Sequence, residues 1–328
     1  TSNRGIELQL NAWLIETKDF SLNATFNIGH NKNKIDKLAS GEKEWILTSA
    51  WRNDVVNSDD YRAYVGGTSG LIYGYVNDGF YTVADFESFD SKSRTWKLKE
   101  GVVDSSPLSD TPRPGNAKFK KLTPVDPNST NPYQLTEADR TVIGNTTPKF
   151  SGGFGLNATY KGFDMSMFFN FMYDFDVLNA NKIMLTTWAD NKENNFLMDI
   201  ASDKRWRNFD DMGNEIRYSP EVLAEFNKNA TMWNPTSIGR PICMSYAVED
   251  GSFLRLNYLQ LSYSFSSKVA RALRLKGLRC YVSANNLFVL TKYKGVDPEI
   301  NYGSYGVAQD SGQTPRAKSF TLGVTVDF

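Results

Sequence analysis

The chain has 328 residues, with 37 Lys+Arg against 37 Asp+Glu, a formal net charge of zero and a mean hydropathy of −0.45. It contains no run of about 18 apolar residues, so a transmembrane helix is excluded. It also has no charge excess to condense on nucleic acid or an anionic lipid surface. One histidine (His30) and two cysteines (Cys243, Cys280) exclude a Cys/His zinc cluster and a disulfide-stapled scaffold. By length alone, one large soluble domain or two smaller ones would fit. The 13% aromatic content does not sit easily with that, because it needs a large core or a surface that welcomes rings.

The first residues, Thr-Ser-Asn-Arg-Gly-Ile, carry no initiator Met, basic n-region or apolar h-region. A strand pattern begins within a few residues, which reads as a removed signal or an internal fragment.

Period-2 alternation is the dominant signal. Ile6, Leu8, Leu10, Ala12 and Leu14 share one face, and Glu7, Gln9, Asn11 and Trp13 the other. After the turn Thr17-Lys18-Asp19, Phe20, Leu22, Ala24, Phe26 and Ile28 alternate with Ser21, Asn23, Thr25 and Asn27. Two long alternating runs around a tight turn predict an antiparallel hairpin. The unit recurs around Lys161-Gly162, with Phe154, Leu156, Ala158 and Tyr160 before it and Phe163, Met165, Met167, Phe169 and Phe171 after it. A third unit has Leu259, Leu261, Tyr263 and Phe265, returning through Leu278, Cys280, Val282 and Ala284. Phe320, Leu322, Val324, Val326 and Phe328 form a last strand.

These seven strands run to about 9–13 residues, against about 5–6 in soluble domains and about 9–11 for a tilted bilayer crossing. Connections after Leu14, Tyr160 and Phe265 are short. Those covering about 30–149, 172–252 and 291–315 are long and polar. Short and long connections in strict alternation put all the tight turns at one end of a sheet. That is the build of a transmembrane antiparallel up-and-down β-barrel with long extracellular loops. Phe20, Tyr160, Phe163 and Phe265 lie beside the short turns, where an interfacial aromatic girdle belongs. The alternation alone leaves the polar face as either a wet lumen or the solvent face of a soluble sheet.

Within the long segments, 181–206 predicts a loop helix. Residues 220–226 predict a second one, with Ser219 as N-cap and Pro220 in the first turn. The stretches 64–80 and 118–122 are strand-like, so the wall has seven strands or nine.

The tail Thr321-Leu322-Gly323-Val324-Thr325-Val326-Asp327-Phe328 has the polar-x-Gly-x-x-apolar-x-apolar form of a barrel-assembly signal. The candidate residues are Thr321, Gly323, Val326 and Phe328. Several further stretches carry a family resemblance: Asn3-Arg4-Gly5-Ile6-Glu7 with Thr17-Lys18-Asp19-Phe20; Tyr73-Gly74-Tyr75-Val76-Asn77-Asp78-Gly79-Phe80; and Asp139-Arg140-Thr141-Val142-Ile143-Gly144-Asn145 with Pro148-Lys149-Phe150. Tyr160-Lys161-Gly162-Phe163-Asp164, Glu249-Asp250-Gly251-Ser252-Phe253-Leu254-Arg255-Leu256, and Asn286-Leu287-Phe288 to Asp297-Pro298-Glu299 complete the set. In this order they resemble the C-terminal third of a SusC/RagA-like TonB-dependent outer-membrane transporter, over essentially the whole chain.

The resemblance implies a plugged barrel of about 22 strands, with the plug domain, the TonB-contacting segment and the N-terminal strands absent from residues 1–328. It implies active import of oligosaccharides or peptides across the outer membrane of a Gram-negative bacterium. The implied partners are the TonB complex, a SusD-like surface lipoprotein, the glycan or peptide cargo and outer-membrane lipid, with no nucleic acid. A passive porin, an adhesion receptor barrel and a soluble all-β binding protein are the alternatives. Family members often carry an Asp-x-Asn-x-Asp-Gly calcium-like loop before the Asp-Arg-Thr-Val-Ile-Gly stretch. Here Asp126-Pro127-Asn128-Ser129-Thr130-Asn131 lacks the third carboxylate and the glycine, so a plain loop is expected.

No cofactor, metal or catalytic residue is expected. His30 has no second histidine to work with and reads as an exposed polar residue. Asp210-Asp211 and Glu249-Asp250 read as solvated charge. Gly66-Gly67-Thr68-Ser69-Gly70 lacks the Lys and helix of a phosphate loop and reads as a strand kink. Of the seven tryptophans, Trp45, Trp51, Trp96, Trp188, Trp206 and Trp233 fall in the long loops. Most are expected to build loop cores. Trp188 and Trp206, flanking the expected loop helix, are the candidate ligand-stacking residues. Cys243 and Cys280 should lie near opposite membrane faces, too far apart to bridge, and are expected as free thiols.

Overall fold

The computed structural model describes residues 1–47, 60–109, 111–187, 195–238, 241–300 and 308–328. Seven long antiparallel strands form one sheet in chain order. They are β1 (Ser2–Glu16), β2 (Phe20–Lys34), β3 (Phe150–Tyr160), β4 (Phe163–Tyr173), β5 (Phe253–Ser264), β6 (Gly277–Thr291) and β7 (Ser319–Asp327). Their lengths of 9 to 15 residues suit a tilted crossing of a hydrocarbon core about 30 Å thick. No helix among the described residues is long and apolar enough to cross a membrane, a test that says nothing of strands.

The register carries facial identity from strand to strand, as the period of two requires. One row across the sheet reads Leu10, Phe26, Phe154, Phe169, Leu256, Phe288. Another reads Ile15, Leu22, Ala158, Met165, Leu261, Val282, Leu322. Between them lies Trp13, Asn23, Asn157, Ser166, Gln260, Ser283, Thr321. Apolar and polar rows alternate, so one face of the sheet is continuously apolar. Many residues of that face are exposed in this chain, among them Leu8, Leu10, Leu261 and Leu322. An unbroken exposed apolar surface of this kind has lipid as its natural solvent.

One residue departs from the alternation. The register shifts between Trp13 and Ile15, so Ile15, not Leu14, continues the apolar row opposite Leu22. Leu14 is the extra residue of a bulge, which a count of two cannot foresee. At the short-turn end the aromatic girdle is present as touching rings. Phe20 meets Tyr160 at 6.4 Å, Phe163 meets Tyr263 at 4.5 Å, and Tyr263 meets Phe265 at 4.9 Å.

Among the described residues the wall has seven strands, and neither 64–80 nor 118–122 adds to it. Leu71–Gly74 pairs with Tyr61–Tyr64 and Thr141–Asn145, and Asn77–Phe80 pairs with Ala117–Phe119, all away from the large sheet. These strands are 3 to 5 residues long, and Leu71–Gly74 is buried along its whole length. They therefore build the core of a loop domain and cannot reach across a bilayer. Gly66 takes φ +94°, and Tyr64 packs its ring where a Gly67 Cβ would sit. That stretch is the turn of the loop hairpin, where a kink was expected.

Among the described residues of 181–206, where a loop helix was expected, the α-helix is α1, Ala180–Met184. Thr186 Oγ1 donates back to the Lys182 carbonyl at 2.7 Å and ends the turn. The second helix is α2, Pro220–Phe226, with Ser219 at the N-cap position and Pro220 in the first turn, though no side-chain capping bond forms. A third helix, α3 (Ser267–Ala272), spans the β5–β6 connection. Trp233, Phe119, Tyr75, Leu135 and Met244 pack one loop core, and Trp206, Ile216 and Leu223 another.

Candidate functional site

The loop domain carries a cleft of about 670 Å³, within the usual range for ligand sites. Its lining includes Arg113, Arg205, Arg207 and Arg217, the rings of Trp206 and Phe209, and the polar side chains of Asn116, Asn234 and Asp210.

Trp206 is the anchor. It is 3% exposed, meets Phe80 edge-on at 5.7 Å, and packs on Ile216 and on Leu223 of α2. Gly115, at φ +90°, passes over the indole so closely that a Cβ would stand 2.2 Å from Cδ1. Only glycine fits that approach. Trp206 N donates to the Met232 carbonyl at 2.8 Å. Buried Asn227 clamps the next residue. Its Oδ1 accepts from Arg207 N at 2.7 Å, and its Nδ2 donates to the Arg207 carbonyl at 2.9 Å. The Trp206–Arg207 backbone is thus held on both sides.

The cations are held less tightly. Arg207 lies over the Phe226 ring at 4.4 Å and pairs with exposed Asp211 at 2.7 Å. Arg217 pairs with Glu215 and lies over both Phe209 and Tyr218. Arg205 donates to the Ile200 carbonyl at 3.2 Å. Asp210 spends its oxygens on its own turn, accepting from Asn214 N and Nδ2 and from Met212 N. The bonds from Asn214, side chain first, hold its carboxyl below the usual range. The arrangement offers guanidinium forks for carboxylate-like groups, ring faces for apolar or sugar surfaces, and amides for hydroxyls. It can grip an extended polar ligand.

The structure places the sequence candidates unevenly. Trp206 lines the cleft, but as a buried wall and not as a free stacking platform. Trp188 lies outside the described residues, as does Trp51. Trp45 sits half-buried in the short strand Glu44–Leu47. Trp96 and Trp233 pack into loop cores. Sequence reasoning missed the arginines. The alternation Arg205-Trp206-Arg207 was a readable signal, whereas Arg113 comes from another loop and Arg217 returns to the cleft after the turn at Asp210–Asn214.

In β7, Thr321 faces Ser283 and Gly323 faces Tyr281 on the polar side, while Val326 pairs with Leu278 on the apolar side and Phe328 is 83% exposed. His30 is half-buried, not exposed. Its ring tilts on Phe150 at 5.3 Å, and Nδ1 lies 2.6 Å from the Lys149 carbonyl. Both cysteines are free thiols, Cys243 buried and Cys280 half-buried. Burial first, then Asp60, pushes the Cys243 thiol up. Among the described residues no group of three His, Cys, Asp or Glu stands ready for a metal. Asp126 makes an ordinary turn, accepting from Asn128 N at 2.9 Å.

The sheet and its loop domain define the class as an outer-membrane-type barrel wall. Comparison with known proteins narrows it. No family model matches the chain. TonB-dependent receptor P3 of Formosa agariphila is 29% identical over 99% of this chain and 28% of its own length. TonB-dependent receptor SusC of Bacteroides thetaiotaomicron is 26% identical over 99% of this chain and 26% of its own. A solved structure of the RagAB peptide transporter superposes with a TM-score of 0.65 at 22% identity, covering 99% of this chain and 29% of that one. The chain therefore resembles SusC/RagA-like TonB-dependent transporters from end to end, and it spans under a third of the length of the relatives it matches.

Proposed function

We propose that these residues form the C-terminal part of the barrel of a TonB-dependent importer in the outer membrane of a Gram-negative bacterium. The cargo class is an oligosaccharide or a peptide, handed over with a SusD-like surface lipoprotein. The observation that carries this reading is the pairing of a seven-stranded wall, apolar across every second row, with a resemblance to TonB-dependent receptors over 99% of the chain. An open sheet edge cannot stand in lipid, where every backbone group must be satisfied internally. The wall therefore closes with further strands of a longer barrel.

In this reading the wall is the rigid shell. The loop domain stands on its long-loop end and presents the cleft around Trp206 and Arg207 to cargo. Buried Arg255 on β5 pairs with Asp297 and Glu299, and Glu299 pairs with Arg316 at 2.6 Å. These pairs moor the third loop to the polar face of the wall. The residues described offer grip and support, with no group poised for covalent chemistry.

The test is uptake by the full-length protein in its own cells. Loss of growth on one glycan or peptide source, in the gene deletion and equally in a strain lacking TonB, is the expected result. Uptake that persists without TonB would mean a passive porin. Purification from the outer membrane with no lipoprotein attached would remove the paired-transporter reading.

A further inference from the structure

One sign of charge dominates the cleft around Trp206. Arg113, Arg205, Arg207 and Arg217 line it, and Asp210 is the one acid among its described lining residues. Asp210 turns its oxygens to its own loop, where they accept from the amides of Met212 and Asn214. No lysine is among the described lining residues, although lysines outnumber arginines in the chain. A guanidinium presents its donors in a planar fork that matches an oxyanion, whereas an ammonium is a point charge. A wall of forks selects by shape as well as by charge.

Rings and backbone clamps position these forks. Asn227 holds the Arg207 backbone, and the Arg207 guanidinium lies over the Phe226 ring. The Arg217 guanidinium lies over Phe209 and Tyr218. Their acid partners, Asp211 and Glu215, are not among the residues that line the cleft. Arg207 gives one nitrogen to Asp211, whose side chain is 79% exposed, and Arg217 gives one to Glu215, whose side chain is 40% exposed. Ion pairs this open to water are weak, and an incoming oxyanion can share or replace them.

The same cleft has little to offer a peptide backbone. A peptide bound as an added strand is held through free main-chain groups. Here the amides of Arg205, Trp206, Arg207, Asp210, Asn234 and Thr236 are each spent inside the loop domain. Recognition is left to side chains. Asn208, Asn234 and Thr236 can meet hydroxyls, and the exposed Phe209 can carry the apolar face of a sugar ring.

We propose that the cleft selects an acidic oligosaccharide, one that carries carboxylate or sulfate groups along a hydroxyl-rich chain. Arg205, Arg207 and Arg217 take the oxyanions, and the amides and the Phe209 ring take the sugar between them. This inference rests on the import reading above and narrows its cargo class.

The experiment measures binding by titration calorimetry to the full-length protein, as it comes from outer membranes in mild detergent. The probes are tetragalacturonate, a sulfated galactose tetramer, the neutral galactose tetramer and tetraglutamate. Wild type should bind one of the two acidic saccharides about tenfold tighter than the neutral tetramer and than tetraglutamate. Which of the two it prefers separates carboxylate from sulfate. Arg207→Gln and Arg217→Gln should each weaken that binding by about tenfold, and Arg207→Lys, which keeps the charge and loses the fork, should recover only part of it. Lys228→Gln, which removes a cation of the same loop outside the cleft, should leave it unchanged. Heat-modifiable migration and an unaltered proteolysis pattern check that each variant is folded. Neutral and acidic saccharides bound equally, neither acidic saccharide bound, or arginine variants that bind like wild type would overturn the proposal. Tighter binding of tetraglutamate would overturn it in favour of an acidic peptide. Growth distinguishes the two readings. Growth on a neutral glycan that needs both this gene and TonB, with no acidic saccharide bound, sinks this inference alone. Acidic-saccharide binding by a protein whose uptake ignores TonB sinks the import reading and leaves the cleft assignment standing.

Discussion

Lys182 Nζ lies 2.9 Å from Glu249 Oε1 inside the loop domain, with both side chains under a tenth exposed. Lys182 comes from α1, and Glu249 from the short strand Val248–Asp250 that leads into β5. The ammonium also sits 4.1 Å from the centre of the Tyr246 ring, and Glu249 Oε2 accepts from Lys294 N at 2.9 Å. One carboxylate therefore joins the start of the second long loop, its end, and the third.

Removing one partner of such a pair leaves a buried charge alone, at a cost of about 3–5 kcal/mol. Lys182→Met should therefore loosen the loops, and the double variant Lys182→Met/Glu249→Gln should recover most of the loss. Hydrogen exchange over 174–252 and limited proteolysis read this out. The heat-modifiable migration of the wall should stay unchanged. Unaltered exchange in Lys182→Met would show that the pair holds nothing.

Asp139 closes the loop before Thr141–Asn145. Its Oδ1 accepts from Leu122 N at 2.8 Å and from Thr123 N and Oγ1 at 2.7 Å, and its Oδ2 from Thr136 N and Oγ1 at 2.8 and 3.0 Å. Burial alone would raise its pKa, but these bonds from Thr123, Thr136 and Leu122 outweigh it and hold the carboxyl well below the usual range. A depressed folded pKa means the stabilisation is complete above the unfolded value of about 3.9 and fades as pH falls below it. Asp139→Asn should lose about 1.5–3 kcal/mol of local stability at neutral pH, the worth of hydrogen bonds to a charge. Exchange in 121–139 should then no longer depend on acid between about pH 4 and 2. A variant as acid-sensitive as wild type would point to another carboxylate.

The wall was legible because a strand with lipid on one side and polar surroundings on the other must write its environment in every second residue. Leu14 escaped, since a bulge changes the count without changing composition. The loop domain was mostly illegible for a matching reason. Leu71–Gly74 is buried on both faces and therefore shows no alternation, and α1 ends on a local bond from Thr186 that helix propensity does not register. Trp206 was found as a residue but not as an environment. Its burial depends on Gly115 and Leu223, which lie in other segments, Gly115 before it in the first long loop and Leu223 on α2.

Gly323 and Phe328 belong to one terminal pattern, yet the structure gives them different work. A Cβ at Gly323 would stand 2.2 Å from the Tyr281 ring, which covers it from β6. Phe328 is 83% exposed and follows the last strand residue. Gly323→Val should lower the stability of the folded wall, and Tyr281→Ala in the same chain should restore part of it. Phe328→Ala should leave the unfolding temperature of assembled protein unchanged and reduce the fraction assembled. Equal thermal loss in both single variants would mean that Phe328 is a packing residue.

The two thiols report which face of the wall meets lipid. Cys280 stands on the apolar face, opposite Tyr263 on β5 and Val324 on β7, in the same row as the girdle rings Phe163 and Tyr263. Cys243 is buried in the loop domain with Tyr61, Ile72 and Ile183, and burial keeps it in the unreactive protonated form. In intact outer membranes a lipid-soluble maleimide should therefore label Cys280, a charged water-soluble one should label neither thiol, and both should react after unfolding. Cys280→Ser should abolish the membrane-phase labelling, and Cys243→Ser should leave it unchanged. Rapid reaction of Cys280 with the charged reagent would place the apolar rows toward water and invert the wall.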